Sequence, residues 1–224
     1  MTTPTQGLVT GALAALLIRI SITGEYLRFV QPWMRWPLLA TGALLLLMAL
    51  KPAFGYARHE ATVPKSSWLL LLPTVIVFSV APPPLGAYVA ERRAAQAPAT
   101  MPAPAKIPVS HSGEPITLGV DEFTWGAAQP DDPMGLKGQE VRLEGFVSTD
   151  KAGHWYVTAL VIFCCAADAV VERVEVDGQP APPRDQWVRV TGTWVEGTGR
   201  DLADPAAVKA SKVIDIPTPK NPYS

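Results

Sequence analysis

The sequence predicts an α+β membrane protein: about three transmembrane helices at the N-terminal end, followed by a small soluble β-barrel domain. Charge sorting is the first observation that predicts it. Residues 1–105 hold 8 basic and 3 acidic side chains and residues 106–224 hold 11 and 17, so the halves carry +5 and −6 within a total of −1. The other two are that long apolar runs are confined to the first part, and that short strand-like runs broken by Gly, Pro and Asp fill the second. One globular core would not separate its composition in this way.

The helical region is expected over residues 1–91, with spans at about 7–23, 33–50 and 68–90. Gly7 to Ile22 is apolar apart from Thr10, Arg19 and Ser21, and Trp33 to Leu50 apart from Arg35 and Thr41. The third stretch, Trp68 to Ala81, reaches the ~20 residues a bilayer requires only if Leu85 to Ala90 is added beyond Pro82-Pro83-Pro84. A cleaved signal peptide does not fit the first run, because no Lys or Arg precedes it and further apolar runs follow. Trp33, Trp36 and Trp68 stand at the run edges, where an indole buries its ring and keeps its N–H among headgroups. Arg19 lies near a helix end and is expected to snorkel to the interface. Gly7, Gly11, Ala14 and Ala15 offer a face for close helix packing, in a homo-oligomer or against another protein. The expected location is therefore a cell membrane, in multi-pass form. Flanking charges leave its orientation open: Lys51, Arg58 and Lys65 stand on one side, Arg28, Arg35, Arg92 and Arg93 on the other.

Residues 92–110 form an expected linker, Ala- and Pro-rich from Ala94 to Pro108, of the kind that extends as polyproline II. The soluble β-rich domain is expected over 111–224. Its strands are Glu140 to Ser148, Trp155 to Phe163, Val170 to Val176, Trp187 to Val195 and Val208 to Ile216, with a short helix at Val120 to Ala128. Gly145 and Gly192 sit mid-strand, where glycine permits a bend or a close backbone approach. An OB-like barrel fits this count, and a small open sandwich shares the pattern. The acidic balance of this half excludes a phosphate-backbone binder, so nucleic acid is not an expected partner.

The one chemical motif is Phe163-Cys164-Cys165-Ala166-Ala167-Asp168. With Cys165 and Asp168 on either side of a tight turn, a thiolate and a carboxylate converge on a thiophilic cation such as Zn(II). Cys164 would face the other way if the strand continued through it. Further ligands would come from His154, His111, another carboxylate or a second subunit. The plainer reading makes both cysteines small buried hydrophobes and Asp168 a turn cap. Candidate metal ligands are thus Cys164, Cys165, Asp168 and His154, with zinc or another transition-metal ion as the cofactor. Thiol catalysis would need a base such as His154. Gly-rich phosphate loops, a nucleophile elbow and HExxH pairs are all missing from the sequence, so no enzyme is expected. His59 is expected to be a solvated loop residue. Trp125, Trp155, Trp187 and Trp194 would serve a ligand-binding module if exposed, and fill a small core otherwise.

Together, Leu143-Glu144-Gly145-Phe146-Val147, the Cys-Cys-Ala-Ala-Asp run, Trp187-Val188-Arg189-Val190-Thr191-Gly192-Thr193 and the tail Ile216-Pro217 to Tyr223 make the chain resemble a bacterial family. That family comprises the YcgQ-like membrane proteins, described as permease subunits and without an assigned reaction. The resemblance covers nearly the whole chain. It implies a polytopic permease partner and work on a metal ion, since the loop before the third span is often histidine-rich in that family. Here that loop keeps only His59. The expected function is accordingly a non-enzymatic accessory subunit of a membrane permease for transition-metal transport or homeostasis. A membrane-tethered thiol enzyme or redox sensor built on Cys164 and Cys165 is the alternative.

Overall fold

An apolar sequence and a glycine stop define the first helix. In the computed structural model α1 runs Thr3–Thr23 and ends at Gly24, whose φ of 81° no β-carbon-bearing residue adopts without strain. The structure describes residues 3–50, 85–93, 114–200 and 204–223, with Leu69, Leu72, Val75, Ile76 and Ser79. They fall into two units, Met1–Pro84 and Leu85–Ser224.

In the first unit α1 packs against α2, Arg35–Leu50. Small residues set the approach: a β-carbon on Gly42 would stand 2.9 Å from Ile18 Cγ1 and 3.4 Å from the Ala14 carbonyl oxygen. Ala14 is fully buried there, so part of the expected small-residue face is used within the chain. Ser21 Oγ and Thr23 Oγ1 donate to the carbonyls of Leu17 and Arg19, which satisfies their hydroxyls inside the helix. Arg19 does not simply snorkel, since its guanidinium pairs with Glu25 at 3.3 Å. The outer side of α2 stays apolar and open, with Trp36, Leu44 and Leu47 exposed, as is Trp33 in the turn before it.

The expected fold class needs correction here. Among the described residues one helical stretch, Pro32–Leu50, is long and apolar enough to cross a membrane by length and composition, and Gly7–Thr23 is shorter. A three-helix membrane region is not what these residues form. Most of the expected third span and of the linker, with Trp68, His59 and His111, lies outside the described residues. The end of that span belongs elsewhere: α3, Ala87–Arg93, is part of the second unit and packs on its sheet. Ala87 and Ala90 are 0 % and 1 % exposed there, so the apolar residues read as lipid-facing cover strands instead.

The second unit holds β1 (Ile116–Leu118), α4 (Val120–Ala128), β2 (Glu140–Thr149), β3 (Trp155–Val161), β4 (Val170–Asp177), β5 (Trp187–Trp194) and β6 (Ala207–Asp215). The five expected strands and the helix are all present. They build a six-stranded mixed sheet in the order β1-β2-β3-β4-β6-β5, and a further pairing of β2 with β5 joins the first and last of the five longer strands, so that β2-β3-β4-β6-β5 closes on itself. Two of these pairings are ones that alternation does not reveal: the three-residue β1 joins β2 in parallel, and β4 joins β6 in parallel.

Alternation sorts the faces. Val141, Leu143 and Val147 of β2, Val157 of β3, Val174 of β4 and Val188 and Val190 of β5 point into one core, closed by Phe123 and Ala127 of α4. Trp155 and Trp194 are buried in that core and Trp125 packs against it, so the indoles serve packing rather than an aromatic binding face. A second cluster lies on the other face of β2 and β3, where Ala87 and Ala90 cover Phe146, Leu160, Ile162, Ala169 and Tyr223. β3 is buried along its whole length because both faces are covered. The two mid-strand glycines are close-approach sites. A β-carbon on Gly145 would stand 2.5 Å from the Thr158 carbonyl oxygen, and one on Gly192 2.4 Å from that of Lys209, beside a bulge at Thr191/Gly192.

Candidate functional site

β3 delivers the motif. Its ladder stops at Val161, Ile162 is still buried, and the chain then turns outward through an exposed Phe163 and Cys164 to a half-buried Cys165. A single 3-10 turn, Ala166–Asp168, follows before β4 begins. Asp168 builds this corner. Its carboxylate accepts the backbone N–H of Phe163 at 3.0 Å, of Cys164 at 2.9 Å and of Cys165 at 3.3 Å, and its own N–H donates to the Cys165 carbonyl at 3.0 Å. A short carboxylate in this position satisfies donors that the ended strand leaves free, which is why Asp suits the third residue after the cysteine pair.

The same fold-back gathers ligand atoms. One ligand atom each from Cys164, Cys165 and Asp168 lie within 4.8 Å of one another, a group that could hold a metal ion. The expectation for Cys164 is corrected: the strand does not continue through it, alternation no longer applies, and its thiol joins the other two groups. Asp168 also caps the turn, so the plainer structural reading of that residue holds alongside its ligand geometry.

Electrostatics set the resting state of the group. Burial alone would raise the Asp168 pKa, but the N–H groups of Phe163, Cys164 and Cys165 and the Cys164 thiol hold it below the ordinary carboxylate value. The Cys164 thiol is pushed up to about 11, first by its hydrogen bond to Asp168 and then by that to Cys165. It is therefore a neutral thiol near pH 7 and a poor nucleophile until something displaces its proton. A thiophilic cation does that, because a metal-bound cysteine is a thiolate.

His154 is not part of the group. It precedes β3 whereas Cys164 follows it, and seven residues at ~3.3 Å each separate the two ends by roughly 20 Å. His154 is exposed, with Nδ1 3.4 Å from Asp150 Oδ2 and 3.6 Å from Glu175 Oε1.

Two residues were not singled out from the sequence, one that braces this corner and one buried elsewhere on the sheet. Arg93, at the end of α3, donates from Nη1 to the Ala169 carbonyl at 3.0 Å, bracing the residue directly after Asp168. Glu172 of β4 is buried beneath α4. Its position had a signal, since it shares parity with the inward Val174 and Val176. Arg93 had none, because only the docking of α3 brings it near.

No curated protein and no solved structure matches the chain. A family model does, and it takes in most of α4, the strands β2 to β6 and the whole Cys-Cys-Ala-Ala-Asp turn. Over residues 121–224 the chain is similar to the DUF1980 C-terminal domain.

Proposed function

We propose that the protein is a non-enzymatic accessory subunit of a membrane permease, and that its sheet domain receives and hands on a thiophilic transition-metal ion. The observation that carries this reading is the convergence of Cys164, Cys165 and Asp168 within 4.8 Å at an exposed corner. Two thiols and one carboxylate suit Zn(II) or Cu(I) better than a hard cation. Three ligands fall short of the four that closed structural zinc sites use, and His154 is too distant to be the fourth. An incomplete shell leaves a position for a donor from a partner, which favours exchange over storage. The raised Cys164 thiol supports a ligand role over a thiol enzyme or redox sensor.

Attachment to the cell membrane rests on the apolar, outward-facing α2 and its packing with α1. A polytopic permease as partner rests on the family resemblance set out above. The test is metal content of the full chain, extracted mildly and kept reduced, beside a variant with both Cys164→Ser and Cys165→Ser. Stoichiometric zinc or copper that the variant loses, with a larger membrane protein co-purifying, is the expected result. Two metal-free, equally folded proteins would end the metal reading, and recovery only as a lone monomer would end the permease reading.

A further inference from the structure

The outer face of the sheet carries a second site, on strands distinct from the one that delivers the cysteines. Arg142 of β2 stands opposite Thr191 of β5, and Thr191 stands opposite Lys212 of β6, so the three residues form one row across three strands. Strand spacing puts roughly 10 Å between the outer two backbones, with the threonine midway. Their neighbours Val141, Leu143 and Val190 are buried, and alternation turns Arg142 and Thr191 outward, where with Lys212 they line an open groove of about 410 Å³.

Among the described residues none of these three side chains makes a hydrogen bond or ion pair. Of the acidic groups beside them, Glu144 is paired with Arg189 at 2.6 Å, and Glu140, which also lines the groove, accepts from Ser211 Oγ at 2.8 Å and keeps its charge. The row therefore presents a guanidinium, a hydroxyl and an ammonium with free donors, on a half of the chain whose balance is −6. A cationic row on an acidic domain is filled by a compact anion rather than by a polyanion such as nucleic acid, which the surrounding charge repels.

We propose that this groove binds a small organic phosphate monoester. The guanidinium of Arg142 takes two phosphate oxygens as a fork, Lys212 neutralises the second charge, and the Thr191 hydroxyl donates between them. Ile214, on the groove wall, meets the organic part. The volume falls within the ~300–1,000 Å³ of small-molecule pockets. This site does not depend on the metal reading.

The test is calorimetric titration of the full chain in nonionic detergent at low salt, with glycerol 3-phosphate as the probe. Saturable binding is expected, weakened about tenfold by Arg142→Ala or Lys212→Ala; Lys212 is exposed and Arg142 half-buried, so the unfolding temperature of each variant is measured beside its affinity. Glu144→Gln releases Arg189 beside the groove and is expected to tighten binding severalfold, a gain that misfolding cannot imitate. Equal affinity in the Arg142→Ala/Lys212→Ala double variant overturns the proposal. So does binding to phosphatidylglycerol mixed micelles with none to glycerol 3-phosphate, which would assign the groove to the membrane surface.

Discussion

Thr124 Oγ1 of α4 lies 2.7 Å from Glu172 Oε2 of β4 and 3.0 Å from the carbonyl oxygen of Asp121. The hydroxyl has one proton and the carbonyl only accepts, so when Thr124 donates to Asp121 the short contact with Glu172 needs a proton on the carboxyl group. Burial agrees. Glu172 is 6 % exposed and its Oε1 has no partner among the described residues. Desolvation raises its pKa, the Thr124 hydrogen bond opposes the rise, and the Asp121 charge adds to it. From β3 the opposed residue is Ala159, which brings no charge to the site.

A pH dependence of stability follows, with a definite sign. A folded-state pKa above the unfolded value favours the neutral acid in the fold, so this contribution is complete below the ordinary value of 4.5 and is lost as pH rises through the raised one. The unfolding temperature is expected to fall across that window. Glu172→Gln keeps the shape and removes the charge; at pH 8 it should stabilise by about 1–3 kcal/mol and flatten the dependence. An unchanged slope in the variant would assign the dependence to other groups.

The folded unit is expected to begin at Leu85, well before the first residue of the family match. Asp185 Oδ1 accepts the Ala87 N–H at 2.6 Å, Tyr223 Oη accepts that of Leu85 at 2.9 Å, and Arg184 holds Glu91 through two contacts at 2.9 and 2.7 Å. A fragment starting at Glu114 uncovers Phe146 and Leu160 and should aggregate or unfold at lower temperature than one starting at Leu85. Glu91→Gln breaks a partly exposed ion pair and should cost less than about 1 kcal/mol. Ala90→Leu overfills the covered face at about 1–3 kcal/mol. Equal stability of the two fragments would show that α3 is dispensable.

Gly192→Ala should destabilise by about 1–3 kcal/mol or more, because the new methyl meets backbone across the ladder rather than a movable side chain. Gly138→Ala is the control. Its φ of 67° disfavours a β-carbon, yet nothing lies within 4 Å of one, so about 1 kcal/mol is expected. Chemical denaturation of both variants measures the difference, and equal losses would mean that conformation rather than contact sets the cost at Gly192.

Strand positions were legible because Val141, Leu143 and Val147 alternate with polar neighbours, and the cysteine corner because its residue types are rare in the chain. Partners were not. Arg142, Thr191 and Lys212 are far apart in sequence and meet only through the register of β2, β5 and β6. Leu85 to Ala90 reads from sequence as the end of a membrane span because burial against a sheet and burial in lipid ask for the same small apolar residues. Glu172 was passed over although its parity with Val174 and Val176 pointed inward. A charged residue at a core position is the kind of local conflict that marks a constrained site.

Thiol labelling separates a ligand from a nucleophile at the same corner. The Cys164 thiol, pushed up to about 11, is exposed but almost wholly protonated near pH 7, so alkylation by iodoacetamide should be slower than that of an unstructured cysteine. The rate should climb about tenfold per pH unit toward that value, since only the thiolate reacts. Asp168 is the first cause of the rise, so Asp168→Asn should bring the thiol down and speed labelling at pH 8, even as it weakens the turn by removing a charged acceptor from three N–H groups. Zinc added before the reagent should protect Cys164 and Cys165 in the native chain and protect less well in Asp168→Asn. Fast labelling of the native chain at pH 7, unaffected by zinc, would instead mark an activated thiol, and the corner would have to be read as a site of covalent chemistry.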